Sequence, residues 1–164
     1  ARRKKEPQSV HRKAIALVAQ ARFYKNELSI QAWTYSKKNS GYSKATLYVY
    51  FKSKEILTSY LVLQSMQTFY DFIHKALHEN NTCKERFFGI CNSLYEYKKL
   101  YPLYFSLVPK PLDLMKIVQL LPEEKESFEI GEKINAIVYE FFEFGMKEGE
   151  FSSDLKIMPT IFTI

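Results

Sequence analysis

The residues Ser43-Lys44-Ala45-Thr46-Leu47-Tyr48-Val49-Tyr50-Phe51-Lys52-Ser53-Lys54 combine side chains suited to gripping a polyanion. Placed on a helix, Leu47 and Phe51 stand four apart and form a buried pair. Lys44 and Tyr48, also four apart, share a different face with Ala45 beside them. A lysine supplies a cation and a tyrosine supplies a flat ring with a hydroxyl, groups that meet phosphates and base edges. Ala45 is small enough to let the helix sit deep in a major groove. Ser53 suits the N-cap of a following helix, whose first free backbone N–H groups favour an anion. Lys54 falls in that first turn, where the helix dipole disfavours a cation, so its presence points to a polyanion outside the protein. Taken alone, Tyr48 and Tyr50 would suit an ordinary amphipathic surface equally well.

The elements that position these residues are helical. Val10, Ala14, Leu17, Val18, Ala21 and Phe23 recur near three- and four-residue spacing behind Ser9, which predicts a helix over 9–25. Ile30 and Trp33 anchor a short second helix that ends before Gly41, where positive φ suits a tight turn. Ser43 caps a third. Three short helices with a turn between the last two make a helix-turn-helix arrangement. Beyond it, Ser53 caps a long helix with an apolar stripe from Ile56 to Leu77, broken by Asn80-Asn81. A further helix over 82–100 carries Phe87, Phe88, Ile90, Cys91, Leu94, Tyr95 and Tyr97 and stops at Pro102. Prolines at 102, 109, 111 and 122 divide the next stretch into short helices such as Leu103–Val108 and Leu112–Leu120. Glu123, Glu124, Glu126 and Glu129 open a long helix over 123–148 at its positive end. Gly149 ends that helix, and Leu155–Ile164 begins another.

Composition sets the class. The chain has 164 residues, 46% hydrophobic and 26% charged, with 13 Phe, 12 Tyr and only 5 Gly. That is enough to bury a core and too little glycine for a turn-rich β fold or a glycine-rich phosphate loop. Charge is unevenly placed. Residues 1–54 hold 13 Lys/Arg against 2 acids, a balance of +11, and residues 55–164 hold 11 against 16, a balance of −5. A basic first third on a mildly acidic remainder implies that one part meets a polyanion and the other does not. Cys83 and Cys91, eight residues apart on one helix, sit roughly 12 Å apart along its axis, beyond disulfide reach. Reduced cysteines, no apolar stretch behind the charged first residues and no long apolar span imply a cytoplasmic protein without a membrane segment.

The stretch Gly41-Tyr42-Ser43-Lys44, Thr46-Leu47-Tyr48, Tyr50-Phe51 and Lys52-Ser53-Lys54-Glu55 resembles the DNA-binding domain of the TetR (tetracycline repressor) family of transcriptional regulators. Ala19 and Phe23 stand where that family has small and aromatic packing residues. The resemblance is strong over about residues 10–57 and continues beyond as helical layout, including Gly149-Glu150-Phe151 after a long helix. Two positions depart from the pattern. Glu27 replaces the usual Gly after the first helix, and Ser36-Lys37 replaces the usual apolar-Ala pair.

The resemblance implies an all-α fold: an N-terminal three-helix helix-turn-helix DNA-binding domain over 1–52, then a helical ligand-binding and dimerisation domain over 53–164. It implies that Lys44, Ala45, Thr46 and Tyr48 face the major groove, while Tyr50 and Lys54 contact backbone phosphates. The implied partners are a double-stranded DNA operator, a small-molecule inducer and a second copy of the chain as a homodimer. Operator half-sites one helical turn apart call for two-fold symmetry. Tyr95, Tyr101, Tyr104, Phe105, Phe141 and Phe142 are candidates to line a pocket for an apolar or aromatic inducer, though each singly is also ordinary core. The implied function is that of a ligand-responsive repressor. The alternative is a helical small-molecule- or partner-binding module whose basic N-terminus meets nucleic acid or membrane nonspecifically.

Other chemistry is thinly represented. Asp71, His74 and His78 share a helix face at a spacing that could hold a divalent metal, but nothing else in the sequence completes a site, so no metal and no cofactor are expected. The glutamates at 123–132 suit a solvated helix start rather than acid–base work. No nucleophile motif, P-loop or dinucleotide fingerprint is present, and the chain is not expected to be an enzyme.

Overall fold

The computed structural model describes residues 12, 13, 16, 49–108 and 121–157. Among them four helices are complete: α1, Lys54–His78; α2, Cys83–Leu100; α3, Pro102–Leu107; and α4, Pro122–Lys147. No strand occurs among the described residues, in line with the all-α expectation. The chain divides into two compact units, Ala1–Leu61 and Val62–Ile164, with the division inside α1. None of the described helices is long and apolar enough to cross a membrane.

Local chemistry sets the helix limits. Ser53 caps α1: its Oγ accepts the Ile56 N–H at 3.3 Å and its carbonyl accepts from Leu57 at 3.3 Å. Thr82 and Glu85 form a reciprocal capping box at α2. Thr82 Oγ1 accepts the Glu85 N–H at 3.2 Å, and Glu85 Oε2 accepts the Thr82 N–H at 3.0 Å and the Asn81 N–H at 3.3 Å. These bonds, led by the Thr82 N–H, hold the Glu85 carboxyl below its ordinary pKa. The cap therefore contributes fully at neutral pH and fades as pH falls through that lowered value. Pro102 does more than stop α2, since it is the first residue of α3, where its missing N–H has no helical partner to lose. At α4, Glu124 Oε2 accepts the Leu121 N–H at 2.8 Å. A Schellman turn closes the far end: Gly149 donates to Met146 O at 3.1 Å and Glu150 to Gly145 O at 2.9 Å, with Gly149 at φ 75°.

The second unit is built on α1 and α4. Leu63 and Met66 cluster with Ile130 and Ile134, while Ile73 and Leu77 cluster with Cys83 and Phe141. Early residues of α1 meet early residues of α4 and late meet late, so the two helices run in the same direction. At the far end the backbone comes close. A Cβ on Gly145 would overlap the Phe151 ring and lie 2.9 Å from Cys83 Sγ. Burial and the nearby Glu150 carboxylate push the Cys83 thiol pKa up, so it behaves as an inert packing group. Both cysteines are free.

α2 is held by Cys83, Ile90 and Leu94 on the cluster around Phe141 and, further along, by one fully buried ring. Of its side chains only Cys83 and Tyr97 are buried, and Tyr97 is fully so. Its hydroxyl donates to Ser65 O on α1 at 3.0 Å, and its ring lies 5.7 Å from Phe69 and 5.4 Å from Phe72. Burial holds the phenol protonated, far above its usual pKa, which keeps it a donor. Two substitutions separate ring from hydroxyl. Tyr97→Phe is expected to cost about 1 kcal/mol in urea denaturation, and Tyr97→Ala about 3–5 kcal/mol.

Candidate functional site

Of the residues expected to meet DNA, Lys44, Ala45, Thr46 and Tyr48 lie outside the described residues. Tyr50 is helical and half-buried, and Lys54 opens α1. Around them a small core is in place. Phe51 is fully buried and its ring lies 5.4 Å from that of Tyr60. The Arg12 guanidinium packs 4.9 Å from the Phe51 ring centre and 4.8 Å from that of Tyr60. Ala16, one turn after Arg12, is also buried. Phe51 thus takes the inward place assigned to it, and Ser53 takes the cap.

This packing divides the basic residues of the first third by task. Arg12 spends its cation on two aromatic faces, an arrangement worth about 0.5–2 kcal/mol according to how dry it is, whereas Lys13 and Lys52 are exposed. This partition is not legible from local spacing, because the ring pair that receives Arg12 is some forty residues away along the chain.

The six candidate pocket residues fall in three places. Tyr101, Tyr104 and Phe105 join Tyr97: Tyr101 stacks on Tyr104 at 5.9 Å, and Tyr97 lies 6.0 Å from Tyr101 and 5.9 Å from Phe105. Phe141 and Phe142 form a second group with Phe151, with ring centres 5.4–5.6 Å apart. Phe69 packs on Tyr97 and on the buried cluster of Ile73, Leu77, Cys83 and Phe141. Tyr95 stands apart, 64% exposed, with the Lys99 ammonium 6.0 Å from its ring centre. The residues that join the rest, Tyr97, Phe72, Phe69 and Phe151, were not singled out as site residues. A signal for Tyr97 was available, since positions 97, 101, 104 and 105 keep one helical face in step.

A groove of about 570 Å³ runs between α1 and α2, bordered by Asp71, Lys75, Glu79, Asn80, Asn92 and Glu96, with Phe72 and Ala76 also in its wall. None of the six candidate aromatics lines it. Its charged groups are engaged locally: Asp71 accepts from Gln67 at 3.0 Å, Lys75 pairs with Glu79 at 3.9 Å and Glu96 with Lys99 at 3.9 Å.

Among the described residues the regular structure is helical, with a capped long helix following the basic first third of the sequence. No family model and no curated protein matches the chain. Among solved structures it is similar to the fatty acid degradation regulator FadR from Bacillus halodurans, with TM-score 0.71 and 20% identity over 98% of this chain and 81% of that one. It is also similar to the ketosteroid transcriptional regulator KstR2 of Mycobacterium tuberculosis, with TM-score 0.64 and 16% identity over 94% of this chain and 76% of that one. Both are TetR-family regulators, so the fold agrees with the resemblance carried by residues 41–55.

Two substitutions probe the small core. Ser53→Ala is expected to lower stability by about 1 kcal/mol through loss of the cap. Arg12→Ala is expected to cost about 1 kcal/mol or more, because the long side chain packs as well as charges. Chemical denaturation followed by circular dichroism checks both.

Proposed function

We propose that the chain is a ligand-responsive transcriptional regulator, a repressor that binds a palindromic operator as a homodimer and leaves it when a small apolar or aromatic inducer is bound. The observation that carries this reading is the coincidence of a fold shared with two regulators and a recognition-helix sequence running into the Ser53-capped start of α1. In this reading residues 1–52 are the DNA-binding domain and residues 53–164 the ligand-binding and dimerisation domain. Lys44, Ala45, Thr46 and Tyr48 face the major groove, and Tyr50 and Lys54 hold phosphates. The balance of +11 over residues 1–54 supplies the sequence-independent attraction.

The inducer is held among Tyr101, Tyr104, Phe105, Phe141 and Phe142, with Tyr95 at the outer surface. The names of the two neighbours refer to fatty acid degradation and to ketosteroids, both apolar chemistries, which supports an apolar inducer here. Binding favours one of two arrangements of the dimer, in which the recognition helices no longer fit successive major grooves, and so lowers operator affinity. The chain acts by binding and carries out no catalysis.

Footprinting on selected DNA is expected to protect a palindrome with half-sites about one helical turn apart. Tyr48→Ala should lower affinity for that palindrome by about 1–3 kcal/mol while affecting unrelated DNA little, whereas Lys54→Ala should weaken all DNA and reduce the salt slope by about one. No protected palindrome, together with an equal loss on all DNA for Tyr48→Ala, would leave only a nonspecific basic module.

A further inference from the structure

The last turns of α1 read His74-Lys75-Ala76-Leu77-His78, placing two imidazoles one helical turn apart. Their ring centres lie 4.0 Å apart with planes inclined at 58°. His74 is half-buried and rests against the Tyr70 ring at 5.3 Å, while His78 is exposed. The inner ring is therefore restrained and the outer one is free to adjust.

That geometry is close to a chelate. With metal–nitrogen bonds of about 2.0–2.1 Å, two imidazoles on one ion have centres roughly 4.5–5 Å apart. A modest rotation of the His78 side chain supplies the difference. The same four-residue histidine spacing on one helix face serves zinc in metal-binding helices. The pair also lies at the carboxyl end of α1, where the dipole and the final carbonyls favour a cation. Lys75, the neighbouring cation, is paired with Glu79 at 3.9 Å. No cluster of three or more His, Cys, Asp or Glu that could hold a metal is assembled among the described residues, so the other coordination positions fall to water.

We propose that His74 and His78 form a bidentate site for a divalent transition metal, with Cu²⁺ bound more tightly than Ni²⁺ or Zn²⁺ and water completing the shell. The site is independent of the DNA-binding reading. Calorimetric titration of the full chain with each chloride salt is expected to show one ion per chain. His74→Ala and His78→Ala should each lower affinity by at least about tenfold, as loss of even an outer-shell partner does at metal sites. His11→Ala, which removes the remaining histidine of the chain's 3, should leave affinity unchanged. Thermal unfolding gives a second readout: saturating metal should raise the unfolding temperature of the wild type and not that of the His74→Ala/His78→Ala double variant. The proposal is overturned if no ion binds, if the double variant binds as tightly as the wild type, or if one ion is shared by two chains.

Discussion

The second unit depends on the seating of Tyr97. Its ring is the one large side chain of α2 that is wholly removed from solvent, and it fills the space beside Phe69 and Phe72 while its hydroxyl reaches the Ser65 carbonyl. A phenol buried without a partner would lose much of what its ring gains. Supplying that partner from the α1 backbone makes the placement specific, because only one register of α2 brings the hydroxyl to Ser65 O. Tyr101 and Phe105 then follow on the same face and carry α3 with them.

The far end of the same unit meets a different constraint, closeness of backbone. Gly145 has the Phe151 ring where a side chain would begin, and the Schellman turn at Gly149 returns the chain to put that ring there. One end is therefore set by a hydrogen-bonded ring and the other by the absence of a side chain. Between them the Leu63–Ile130 and Ile73–Phe141 clusters supply ordinary apolar packing.

Much of this was legible in the sequence, and the reasons are local. Ser53, Asn80-Asn81, Pro102 and Gly149 mark helix ends through caps, missing N–H groups and positive φ, which act within a few residues. The Ser53 cap, the break at Asn80-Asn81 and the expected limits of 82–100 and 123–148 accordingly fall within a residue or two of the helix ends observed. Which face of α2 turns inward was not legible. Phe87, Phe88, Tyr95 and Tyr97 are alike in hydrophobicity, yet the first three are exposed and the last is buried. The choice is made by Ser65 and Phe69, some thirty residues away. The same limit hid Arg12, whose cation is taken up by Phe51 and Tyr60. For the DNA-facing residues the motif itself was the legible part, since its spacing is local, whereas the pocket aromatics were sorted into groups only by tertiary packing.

The shallow seating of α2 also bears on motion. Local opening costs least where few apolar side chains leave solvent on closing, and α2 buries two side chains along its whole length. Backbone amides of α2 should then exchange with solvent sooner than those of α1 or α4, whose inward stripes are continuous. Such opening would bare the Tyr97 ring and withdraw Cys83, Ile90 and Leu94 from the cluster around Phe141, so a motion that starts in α2 is felt along α1 and α4 as well.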